Sequence, residues 1–196
     1  MDLLRRVMKA IRNNIDRAAD IADSFSDNQF KSKDKIIELL NDNDLIGSNT
    51  KVVIMGCWYG SILVDYLAPK VNHITAIDID DTALRIGKNI LFSQYDNIDW
   101  IHVDLFNDKN RRKYREATLF INPSCEHMQD MKNWPYFPKD SFFVFTSNDM
   151  FDIKDHTNCV NTLEEFKTQL PKYIPIEETE VEDSRGKRFI VIGQIC

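Results

Sequence analysis

Apolar residues occur in short runs separated by polar turns, and their period changes along the chain. Between residues 3 and 24, Leu4, Val7, Met8, Ile11, Ile15, Ala18 and Ala22 recur at helical spacing, with Arg5, Arg6, Lys9, Arg12 and Arg17 mostly outside that stripe. This predicts one amphipathic helix packed on the domain with a solvated basic rim. Residues 24–31 read as a loop, and a second helix is expected over about 32–42, carrying Ile36, Ile37, Leu39 and Leu40. Val52 to Met55 is a dense apolar run, the signature of a buried strand. It is followed by the turn Gly56-Cys57-Trp58-Tyr59-Gly60 and a short helix from Ser61 to Ala68, which Pro69 stops. A second run, Ile74 to Ile77, ends in Asp78.

The alternation continues. Asp80 or Asp81 can cap a helix whose apolar face is Ala83, Leu84, Ile86, Gly87, Ile90 and Leu91. Further strands are predicted at 98–103, at Ala117 to Ile121 and at Ser141 to Phe145. Asn107 to Arg115, with Arg111 and Arg112, reads as a short exposed helix whose charge is a solvated face. Thr162 with Glu165 has capping-box spacing for a last helix before Pro171. The end differs in kind: Ile176 to Glu182, a turn at Ser184-Arg185-Gly186, and Phe189 to Ile192 form an antiparallel hairpin. Five strands alternating with helices imply a mostly parallel α/β sheet, wound on both faces.

Ligands of such sheets bind beyond the carboxyl ends of the strands. The residues just past those ends are Gly56 to Gly60, Asp78, Asp104, Asn122 to His127, and Ser147 to Cys159. The glycines suit a backbone that turns tightly beside a ligand, and Asp78 suits ribose hydroxyls. Glu126-His127 and His156 are the candidates for proton chemistry, since a near-neutral imidazole suits a base. Glu126, His127, His156 and Asp149 could ligate a metal, but no helical HxxxH-like spacing supports one, and none is expected.

Composition narrows the classes. The 196 residues suit one sizeable domain, and 43% hydrophobic with 29% charged residues is ordinary for a globular protein. A net charge of −6 gives no general attraction to nucleic-acid phosphates and tilts toward a small-molecule or protein partner. Cys57, Cys125, Cys159 and Cys196 form no CxxC pair. No run approaches the roughly 20 apolar residues of a membrane span, and no secretory signal is visible, so a reduced, cytoplasmic protein is expected.

The segments VVIMGCWYG, ITAIDID, WIHVDLF and LFINPSCEH, in this order and with a closing hairpin, resemble the class I S-adenosylmethionine-dependent methyltransferases over about residues 45–196. SCEHM and the later SND…HTNC stretch resemble methyltransferase-like proteins of tailed phages. The resemblance implies a Rossmann-like fold: a seven-stranded, mostly parallel sheet with an antiparallel C-terminal hairpin. The N-terminal helices of residues 1–44 would form a lid on a catalytic domain at 45–196. It implies S-adenosyl-L-methionine as cofactor, with Gly56, Trp58 and Gly60 around its methionine part, Asp78 at the ribose and Asp104 near the adenine. Asn122, Glu126, His127 and His156 would face the acceptor, a small molecule or modified nucleotide.

Two departures qualify the match. Trp58 replaces the middle glycine of the family's GxGxG loop, so it either walls the cofactor site or plugs it. Ser124 and Cys125 replace the proline and aromatic that amino-directed members carry after Asn-Pro, which removes a stacking platform for a flipped base. A nucleic-acid methyltransferase would need Arg5, Arg6, Arg12 and the Arg111 to Arg115 cluster on one basic face. A non-catalytic binding module, and transfer of another sulfonium substituent such as aminocarboxypropyl, are the remaining alternatives.

Overall fold

The computed structural model describes residues 2–183 and 185–196, with the side chains of Arg111 and Asp183 left aside. Strands β1 (Lys51–Met55), β2 (His73–Asp78), β3 (Ile98–His102), β4 (Leu119–Asn122), β5 (Phe142–Asn148), β6 (Tyr173–Asp183) and β7 (Gly186–Ile195) form one sheet in the order β3-β2-β1-β4-β5-β7-β6. The β1, β2, β3, β4 and β5 pairings are parallel, and β7 runs antiparallel to both β5 and β6. This is the mostly parallel sheet with a closing hairpin that the sequence implies; the turn position Ser184 lies outside the described residues. Strand order reverses between β1 and β4, which opens a crevice at their carboxyl ends.

The period-2 alternation of the central strands sorts the core into two layers. Val52 and Ile54 of β1, with Ile74, Ala76, Leu119, Ile121, Val144, Ile190 and Ile192, face one layer. It is covered by α1 (Leu3–Asn13), α2 (Ala18–Asp23), α3 (Asp27–Asp42), α4 (Leu63–Leu67) and α5 (Asp81–Ile86). Val53, Met55, Ile77, Phe120, Phe143, Phe145, Phe189 and Val191 face the other layer, under Tyr114, Trp134 and Phe166 of α6 (Leu163–Thr168). Burial on both faces explains why these strands read as continuous apolar runs.

The N-terminal region departs from expectation in three ways. The predicted helix over 3–24 is broken at Asn14, whose side-chain amide donates to the Ala10 carbonyl (2.8 Å) and so competes for the helix end. The buried face of α1 is also rotated: Arg6 and Ala10 are buried, while Leu4 and Met8 are exposed, as is Ile15 just beyond. Arg6 goes inside because its guanidinium donates to the Leu91 carbonyl, pairs with Asp65 (3.3 Å) and lies 5.8 Å from the Phe92 ring centre. Finally, α3 begins at Asp27, so part of the predicted loop over 24–31 is helical. A basic face that includes Arg6 is therefore not formed, and the Arg111 side chain lies outside the described residues. No helix among the described residues is long and apolar enough to cross a membrane.

Candidate functional site

The loop after β1 is the most strained part of the chain. Gly56 (φ 68°), Trp58 (φ 51°), Gly60 (φ 76°) and Ile62 (φ 70°) all have positive φ. Trp58 and Ile62 hold this conformation at a steric cost that glycine avoids, and such strain clusters at functional sites. The two glycines are needed for separate reasons. A Cβ on Gly56 would lie 2.6 Å from Met128 Cε, and one on Gly60 would lie 2.8 Å from both Trp100 Cη2 and Val64 Cγ2.

Asp78 ties this loop to the end of β2. Its carboxylate accepts from the Trp58 N–H (2.6 Å) on one oxygen and from the Asp80 N–H (2.9 Å) on the other. Burial raises its pKa, and these backbone donors oppose the rise. Each carboxylate oxygen carries two lone pairs, so both retain acceptor capacity. Asp104 is held in the same way, accepting from the Phe106 N–H (3.0 Å) and the Asn107 amide (2.6 Å). Asp80 caps α5 by accepting from the Ala83 N–H (3.0 Å).

The loops after β4 and β5 are laced together as well as tied locally. The Glu126 carbonyl accepts from both the Thr157 and Asn158 N–H groups (2.9 Å each). His127 Nδ1 meets the Asp155 carbonyl at 2.8 Å, and His156 Nδ1 meets Asn148 Oδ1 at 3.1 Å. The Met150 N–H donates to the same Asn148 oxygen (3.0 Å), which fixes the orientation of that amide. With an oxygen opposite each Nδ1, the tautomer that fits both rings donates from Nδ1 and leaves the Nε2 lone pair outward. The two rings meet edge to face with centres 4.6 Å apart. Burial lowers the His156 pKa, which favours the neutral ring.

These two halves share one cavity of about 810 Å³. Gly56, Trp58, Gly60, Asp78 and Asp104 line it, as do Glu126, His127 and His156. Trp58 forms part of the wall, packed against Tyr59 with ring centres 5.1 Å apart. Asn122 is the predicted site residue that is not brought to the cavity. It is fully buried; its amide N–H₂ points at the sulfurs of Met128 (3.3 Å) and Met131 (3.2 Å), and its oxygen accepts from the Ser124 N–H (3.0 Å). Its donors and acceptor are committed to shaping the turn after β4.

Sequence reasoning missed Arg17, Lys33 and Arg188. Arg17 reaches from the turn before α2 to Tyr59 Oη (3.0 Å) and to Asp80, so the N-terminal segment is clamped to the strained loop. Lys33 of α3 lines the cavity, and burial lowers its pKa to about 8. Arg188 pairs with Glu126 at 3.6 Å, both side chains being nearly inaccessible. Arg188 shares the strand period of Ile190 and Ile192, and that alternation was the available signal that it points inward.

No protein-family model and no curated protein matches the sequence. Solved structures do match in fold. The N-methyltransferase NodS from Bradyrhizobium japonicum, in complex with S-adenosyl-L-homocysteine, superposes with a TM-score of 0.65 at 14% identity over 85% of this chain and 86% of that one. A SAM-dependent methyltransferase from Aquifex aeolicus gives 0.57 at 13% identity over 76% and 84%. A geranyl diphosphate methyltransferase bound to its substrate and sinefungin gives 0.61 at 9% identity over 76% and 72%. The chain has the Rossmann-like class I methyltransferase fold.

Proposed function

We propose that the chain is an S-adenosylmethionine-dependent methyltransferase acting on a small molecule or modified nucleotide. One observation carries this reading: a single cavity joins the ribose-type acid Asp78 and Asp104 to Glu126, His127 and His156 across the β1/β4 crevice. Its size suits a nucleoside-sized ligand together with a small acceptor, since ligand pockets run to roughly 300–1,000 Å³. The free lone pairs of Asp78 fit ribose hydroxyls, and the positive-φ loop lets backbone lie beside a methionine moiety. S-adenosylmethionine supplies an electrophilic methyl group when bound. The chain's part is to orient the acceptor and exclude water, with His156 Nε2 or His127 Nε2 available to take a proton.

Residues 1–44 serve as a lid on this reading, because Arg17, Ser24 and Lys33 line the cavity from the N-terminal side. Asn122 is assigned to the scaffold rather than to the acceptor. The burial of Arg6 and the negative net charge favour this reading over a nucleic-acid substrate.

Calorimetry with S-adenosylmethionine and S-adenosylhomocysteine tests the core of the proposal. Binding of both in the micromolar range is expected, and no heat from either at millimolar concentration overturns it. Mass spectrometry of acceptors after turnover then separates methyl from aminocarboxypropyl transfer.

A further inference from the structure

The acceptor end of the cavity contains a group of side chains that proton transfer alone does not explain. Glu126, His127 and His156 each offer a ligand atom, and these atoms lie within 4.8 Å of one another. Glu126 is 3% exposed, and its Oε2 is buried with no hydrogen-bond partner among the described residues. Arg188 stands 3.6 Å from the other oxygen, and an oxygen left bare in this way is costly unless a donor or a cation meets it.

We propose that Glu126, His127 and His156 form a binding site for a divalent transition-metal ion. That this is also the acceptor end of a methyltransferase rests on the functional reading above; the metal site itself does not.

Two features of the surroundings support it. Each imidazole directs its Nδ1 proton to an oxygen, Asp155 O or Asn148 Oδ1, which is the arrangement that orients metal-binding histidines. The ligands come from two loops that are already hydrogen-bonded together through the Glu126 carbonyl, so the set is assembled before an ion arrives. Arg188 pairs with Glu126 Oε1 (3.6 Å) and already brings one positive charge to the carboxylate, so an ion would meet it through Oε2.

Two imidazoles and one carboxylate select a borderline ion such as Zn²⁺, Co²⁺ or Fe²⁺ over Mg²⁺ or Ca²⁺, which prefer all-oxygen sites. Ligands of a tetrahedral zinc with bonds of about 2.0–2.1 Å stand about 3.3 Å apart. The present set therefore needs to close by at most about 1.5 Å, within reach of the exposed His127 side chain. Three protein ligands leave open positions in which an acceptor oxygen can bind. His127 and His156 would then be ligands rather than bases.

The test uses the full chain, stripped with a chelator and titrated with Co²⁺ while visible ligand-field absorption is followed. Saturable one-to-one binding is expected, weakened at least about tenfold by His127→Ala, His156→Ala and Glu126→Gln alike. His127 is exposed, so its truncation leaves the core intact, and circular dichroism checks the other two. No saturable binding at millimolar Co²⁺, or binding that survives all three substitutions, overturns the site. Binding lost in Cys159→Ser but kept in the three variants overturns it as well. Calorimetry with S-adenosylhomocysteine on the same preparations separates the two proposals. Co²⁺ binding without nucleoside binding removes the methyltransferase reading alone; nucleoside binding without Co²⁺ removes the metal site alone.

Discussion

The two halves of the sheet's carboxyl edge are built by opposite means. On the β1–β3 side, Asp78 and Asp104 are held by donors close to them in sequence: Asp78 by the Asp80 N–H two residues on, and Asp104 by the Phe106 N–H and the Asn107 side-chain amide. The link from the Trp58 N–H to Asp78 spans a single strand–helix–strand unit, and Arg17 adds a longer clamp to Tyr59 and Asp80. On the β4–β5 side, local links such as Met150 to Asn148 are joined by others between segments some thirty residues apart, as between His127 and Asp155 or Glu126 and Thr157. The first half leaves its carboxylates satisfied but still able to accept. The second leaves a buried Glu126 oxygen bare. A pre-satisfied acid suits a neutral hydroxyl donor such as ribose; a bare one suits a cation.

Asp78→Ala breaks the first half and should have the largest effect. It strands the Trp58 and Asp80 N–H groups and removes the acceptor offered to ribose. Hydrogen bonds to an ionised group are worth about 1.5–3 kcal/mol each, so S-adenosylhomocysteine affinity should fall about 100-fold or more in calorimetry. The pH dependence follows from the same residue. Its folded-state pKa is raised, so the carboxylate takes up a proton at a higher pH than an ordinary aspartate. Affinity should be full near neutrality and fall on acidification before the usual aspartate range is reached. In Asp78→Asn this acid limb should disappear. A limb of unchanged position in Asp78→Asn would show that another group carries it.

Asn148→Ala tests the second half and should have an intermediate effect. One oxygen of Asn148 accepts from the Met150 N–H, meets His156 Nδ1 at 3.1 Å and accepts from the Cys159 thiol at 3.3 Å. Asn148 is fully buried, so its truncation leaves polar groups without partners, at a cost of about 1–3 kcal/mol. For a domain of this size, that lowers the thermal midpoint by roughly 2–4 °C per kcal/mol. His156 also loses the partner that fixes its tautomer, so its NMR titration should shift. S-adenosylhomocysteine affinity should change little, because nothing on the β1–β3 side depends on Asn148. A large loss of nucleoside affinity would show that the halves are not separable.

The same contrast explains how much was legible in the sequence. The strands, the crossover pattern and the closing hairpin follow from local periodicity, which a buried sheet imposes on every strand. Asp78 and Asp104 were visible because they end apolar runs. Asn122 also ends such a run, yet it turns inward to two methionine sulfurs, and only the packing of Met128 and Met131 decides that. The α1 stripe was misread because helical spacing counts Arg6 as a rim residue. The Leu91 carbonyl and Asp65 that draw it inside lie far along the chain. The metal-type cluster was discounted for lacking a helical spacing, since its three members come from two loops joined by hydrogen bonds that leave no spacing rule behind.

Trp58→Gly is the finest test, with the smallest expected effect. Trp58 contributes to the first half through its backbone N–H to Asp78 and through a half-buried ring on the cavity wall. Glycine keeps the N–H and relieves the positive φ of 51°, a gain of about 1–2 kcal/mol per residue freed from the left-handed region. Against this stand the lost ring packing and the greater freedom of the unfolded chain, about 1 kcal/mol. These folding changes nearly cancel, so the thermal midpoint should hardly move. Only the lost ring contact bears on the ligand, and S-adenosylhomocysteine affinity should move by less than about tenfold in calorimetry, a shift under about 1.4 kcal/mol. A much larger gain in affinity would mean that the ring plugs the site. A much larger loss would make the ring itself a binding surface, and the β1–β3 half would then depend on a side chain as well as on its backbone.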